Sequence, residues 1–96
     1  ENDKMADRMR MDFPLANECK TGLKNGADEL EAAIKNLDSV IGKLEQAWEG
    51  DSSRKFCEEY NNNLRKALET VRTAVEETGN ALNRDINKWS ALDQRG

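Results

Sequence analysis

The chain has 96 residues, of which 36% are apolar and 35% charged, with a net charge of −4 and no histidine. That length holds one domain, and so small an apolar share is poor for a compact monomeric globule. Mixed charge without a basic cluster argues against a nucleic-acid partner, no apolar run nears the length of a membrane span, and the missing histidine removes the commonest general base and metal ligand.

Residues 1–13 carry no clean period and are expected to be flexible or frayed. Residues 1–12 alternate charged and apolar types and lack a secretory signal pattern. Synthesis in the cytoplasm is therefore expected, with export open only to a route without a cleaved signal. Phe13-Pro14 marks a boundary, because proline suits the first turn of a helix.

The first helix is expected over about 14–48. Leu23, Ala27, Leu30, Ile34, Leu37, Ile41, Leu44 and Trp48 alternate in spacings of four and three. That seven-residue repeat is a coiled-coil-like seam. Ala33, Val40 and Ala47 widen it, so the helix can touch two neighbours. Gly22 and Gly26, one turn apart, read as a place of close helix approach.

At Trp48-Glu49-Gly50 the pattern bends. The apolar period stops, Gly50 can take a positive φ, and Asp51, Ser52 and Ser53 offer capping side chains. A turn over 49–51 follows. A second helix is expected over about 52–92, with Tyr60, Leu64, Leu68, Val71, Val75, Leu82 and Trp89 as its stripe. Phe56, Ala67, Ala74, Ala81 and Ile86 flank that stripe. Asn61-Asn62-Asn63 and the charged residues Glu58, Arg65, Glu69, Arg72 and Glu76 are expected to face solvent. Residues 94–96 form a tail.

Two helices of about 50–60 Å joined by so short a turn must run antiparallel. The expected fold is all-α, a hairpin of two long helices over 14–93, with an apolar groove that a second hairpin closes into a four-helix bundle. The seam residues of that bundle are Leu23, Leu30, Ile34, Leu37, Ile41 and Leu44 on one helix and Tyr60, Leu64, Leu68, Val71, Val75 and Leu82 on the other.

No catalytic constellation is present. Carboxylates do not recur as a metal-binding set, and Asp85, which comes closest to the stripe, reads as a boundary residue. No cofactor is expected. Cys19 and Cys57 would stand about 35 Å apart on straight antiparallel helices, too far for a bridge within one hairpin. Head-to-tail packing would bring Cys19 of one hairpin toward Cys57 of another.

A chain of this size, with Trp48-Glu49-Gly50 at its only turn between two long helices and Phe56 early in the second, resembles the WXG family. These are ESAT-like small substrates of bacterial type VII (Esx) secretion systems. The resemblance runs from about Leu15 to Asp93. It implies antiparallel pairing, as a homodimer or with a second small helical protein, and export of the folded chain by a membrane complex with an FtsK/SpoIIIE-like ATPase. It also implies a recognition role for Trp48 and Gly50, and an adaptor variant that escorts the helical amino-terminal domain of a larger toxin. Family members often complete the signal with Tyr-x-x-x-Asp/Glu late in a second helix; here Trp89 and Asp93 have that spacing, with tryptophan in place of tyrosine. The same heptads also suit a coiled-coil module with no export role, and the wide stripes suit a membrane-active hairpin, which the mixed charge opposes.

Overall fold

The computed structural model describes the backbone of residues 10–95 and the side chains of residues 10–92. Helix α1 spans Phe13–Ala47. A second arm runs back along it: α2 (Asp51–Glu59), a π-helical turn (Tyr60–Leu64) and α3 (Arg65–Arg95). The two arms form an all-helical hairpin measuring 67 × 24 × 16 Å. Of the expected frayed segment 1–13, positions 1–9 lie outside the described residues, and so does Gly96 of the tail. The helix α3 runs beyond the expected Leu92 to Arg95.

Local chemistry sets the ends of α1. Asp12 caps it, its Oδ1 accepting from the Leu15 N–H at 3.1 Å, and Pro14 sits in the first turn, where no intrahelical N–H is needed. At the far end Trp48 is already extended (φ −141°, ψ 116°), although its N–H still donates to the Leu44 carbonyl at 3.0 Å.

The restart differs from expectation in one respect. None of the Asp51, Ser52 or Ser53 side chains caps the second arm. Gly50 is the cap residue itself, at φ 119° and ψ 177°, and no side chain bonds the first turn. Its carbonyl accepts from the Arg54 N–H at 3.1 Å, so the helix begins at Asp51, two residues earlier than a cap at Ser52 would allow. Asp51 then falls in the first turn, where its charge complements the free N–H groups and pairs with Arg54.

Between the arms lies a thin core. Ala27 and Ile34 of α1 are buried, and from the second arm Ser53, Cys57, Tyr60 and Ile86. Leu23, Leu30, Leu37, Ile41 and Leu44 are half-buried, as are Leu68, Val75 and Leu82. Close approach occurs at Gly26, where an added Cβ would lie 4.0 Å from Val75 Cγ1, and at Gly79, where it would lie 3.4 Å from Leu23 Cβ. Gly22 meets nothing within 4 Å, so only one of the two expected contact glycines makes a contact.

Leu64 and Val71 are turned outward, 51% and 49% exposed, where the repeat expects them inward. The cause is the π turn. The Arg65 N–H donates to the Tyr60 carbonyl, an i→i+5 bond that fits one extra residue into the turn. Arg65 therefore takes the place below Tyr60 that Leu64 would hold in an α-helix. Arg72, one heptad on, follows it inward. The expectation that Arg65 and Arg72 face solvent is thus corrected: they stand at the inner edge of the arm, 38% and 23% exposed.

Candidate interaction surfaces

The hairpin has two unlike sides. On one, polar side chains join the arms. Arg65 holds Asp38 in a fork, Nε to Oδ1 at 3.0 Å and Nη2 to Oδ2 at 2.9 Å, and the Tyr60 hydroxyl donates to the same carboxylate at 2.9 Å. Arg72 reaches Glu31 across the arms at 3.9 Å while pairing with Glu69 and Glu76 on its own helix, each at 3.2 Å. Lys20 Nζ donates to Asn83 Oδ1 at 3.2 Å. The bonds from Arg65 and then Tyr60 hold the Asp38 carboxyl below the usual carboxylate range. Burial, and then the bond to Asp38, pushes the Tyr60 phenol up. A recognisable sequence signal exists for this side: Glu31 and Asp38 are seven residues apart on α1, and Arg65 and Arg72 are seven apart on the second arm.

On the other side the arms leave apolar surface open. Leu37 and Ile41 of α1, with Phe56, Tyr60 and Leu64 of the second arm, line a groove of about 370 Å³. Val40, three residues past Leu37, and Val71, seven past Leu64, are likewise 50% and 49% exposed. Such a patch, rimmed by charge, is the usual mark of an association surface.

At the tip the Trp48 and Phe56 rings pack tilted by 59°, with centroids 6.1 Å apart. That geometry suits the attraction between one ring's edge and the other's face. Both stay accessible, Trp48 at 40% and Phe56 at 52%. The turn motif therefore presents an indole, a phenyl ring and a bare glycine backbone together. At the opposite, open end Trp89 is half-buried and Leu92 is 42% exposed. Asp93 lies on the same helix, one turn past Trp89; its side chain is outside the described residues.

Asp85 is exposed. Among the described residues no three of Cys, Asp or Glu stand together as a metal site. Cys19 is exposed and Cys57 buried, its thiol pushed up by desolvation and then by Glu45. Burial inside its own hairpin removes the expected approach of a partner's Cys19. No helix among the described residues is long and apolar enough to cross a membrane.

The family model described as proteins of 100 residues with WXG matches residues 8–94, nearly the whole chain. No curated protein and no solved structure matches.

Proposed function

This chain belongs to the WXG100 family, and from that premise we propose that it is a secreted substrate or export partner of a type VII secretion system. The family is one of small, non-enzymatic helical proteins secreted by such systems, whose members commonly form dimers. The observation that carries the reading for this chain is the hairpin tip. Trp48 and Gly50 stand in the single break between two long arms, with the indole exposed against Phe56. A core residue would be covered there; this one is presented.

Pairing is the other half of the proposal. A second hairpin, a copy of this chain or another WXG-like protein, covers the open side along Leu37, Ile41, Leu64 and Val71 and completes a four-helix bundle. In an antiparallel pair the tip of one hairpin meets the open end of the other. Trp48 of one chain and the Trp89-to-Asp93 turn of its partner, with Trp89 and Asp93 four residues apart in sequence, then make one composite surface for the secretion ATPase to read. The adaptor role, with the helical domain of a larger toxin as partner, uses the same open side.

Secretion by the native cell tests this. Trp48→Ala and Asp93→Ala are each expected to lose most export while remaining helical and paired. Protein in the medium at the wild-type level, with a cytoplasmic marker retained in the cells, removes that residue from the signal. Copurification of a large toxin from the native cell selects the adaptor role.

A further inference from the structure

The second arm carries one residue more than its own repeat allows. Its inward positions Cys57, Tyr60, Arg65, Leu68, Arg72 and Val75 are separated by 3, 5, 3, 4 and 3. A seven-residue repeat uses threes and fours. The five falls on the π turn, whose middle is Asn61-Asn62-Asn63.

The surplus residue gives the arm two registers. An α-helix continued from Tyr60 would be turned by about 100° beyond this point, the angle of one residue. Leu64 would then occupy the place of Arg65, and Val71 that of Arg72. This straight register brings Leu64 and Val71 in but puts Ala67 and Ala74 in the places of Leu68 and Val75, so up to Thr78 its advantage is that two arginines leave the inner edge of the arm. Further on it fails, because Asp85 would replace the buried Ile86. The extra residue must therefore be absorbed somewhere between Tyr60 and Ile86. Gly79, the weakest helix former on that stretch, is the second place for it.

We propose that Asp38 decides between these places and so sets which side chains the hairpin presents. Tyr60 and Arg65 bracket the π turn, and both bond the one carboxylate. Asp38 pins the surplus at Asn61-Asn63. Residues 64–78 are thereby held with Leu64 and Val71 outward, as part of the open apolar side. This register belongs to the single chain and is independent of export and pairing.

Paired cysteines read the register inside a single hairpin. In a Cys19→Ser, Cys57→Ala background, Gly26→Cys is combined with either Val75→Cys or Ala74→Cys. With Asp38 intact the 26–75 pair is expected to oxidise at least about tenfold faster than 26–74, because an added Cβ at position 26 lies 4.0 Å from Val75 Cγ1, whereas Ala74 is exposed. Asp38→Ala is expected to reverse that preference. Deleting Asn62 as well is expected to restore it, since removal of the surplus residue makes the pin unnecessary. An unchanged preference in Asp38→Ala overturns the proposal. So does loss of both cross-links, which would mean a melted arm, and so does a deletion that leaves the preference reversed.

Discussion

Two residues show how much single positions decide in so thin a structure. Gly50 lies at a φ of 119° with an extended ψ of 177°, a region that L side chains rarely adopt. Space is not the constraint, for nothing lies within 4 Å of an added Cβ. Gly50→Ala is therefore expected to cost about 1–3 kcal/mol through backbone strain alone, read by urea denaturation. D-alanine, which favours this mirror-image region, is expected to restore stability in a synthetic chain; equal losses for both enantiomers would refute strain as the cause. Asp38 decides a pH dependence. Its carboxyl is held low by Arg65 and then Tyr60. Its contribution is complete above the unfolded value of about 3.9 and is lost as pH falls through the lower folded value. Wild type and Asp38→Ala are expected to differ most in denaturation midpoint near neutrality and to converge below that window. A constant difference down to the lowest pH would sink this account.

Each element was legible in proportion to how local its cause is. Pro14, the glycine at position 50 and the four-and-three spacing on α1 are short-range signals, and the hairpin follows from them. Ile34, expected on the seam, is 2% exposed. Ile34→Ala is expected to cost about 2–5 kcal/mol, the range for a buried isoleucine cut back to alanine, seen as lost helicity on mild heating. The second arm was harder to read because two apolar stripes lie side by side on it. One runs through Leu64 and Val71, the other through Leu68, Val75 and Ile86, and periodicity alone ranks the first as well as the second. What separates them is a contact 27 positions away in sequence, between Asp38 and Arg65. Three successive asparagines were visible as weak helix formers; that they hold an i→i+5 turn depends on that remote carboxylate. Trp48 stands out by the same local signal that marks the turn and Phe56 only by the family resemblance, whereas the polar side was missed because charged residues on a helix ordinarily face water.

The whole molecule is a rod with one side fastened and one side open. Polar bonds tie Asp38, Glu31 and Lys20 across the arms on the fastened side. Leu64→Asp together with Val71→Asp changes only residues half exposed in the single hairpin. The double variant is expected to keep its helical circular dichroism while light scattering reports a single chain where the wild type gives a pair. A variant that stays paired would place the partner elsewhere. The rod's proportions bear on transport as well. Travelling end-on, a folded hairpin needs an aperture that admits a 24 by 16 Å cross-section, while broadside entry would demand 67 Å. A narrow conduit can therefore take the chain without unravelling it, provided that one end is gripped first and leads.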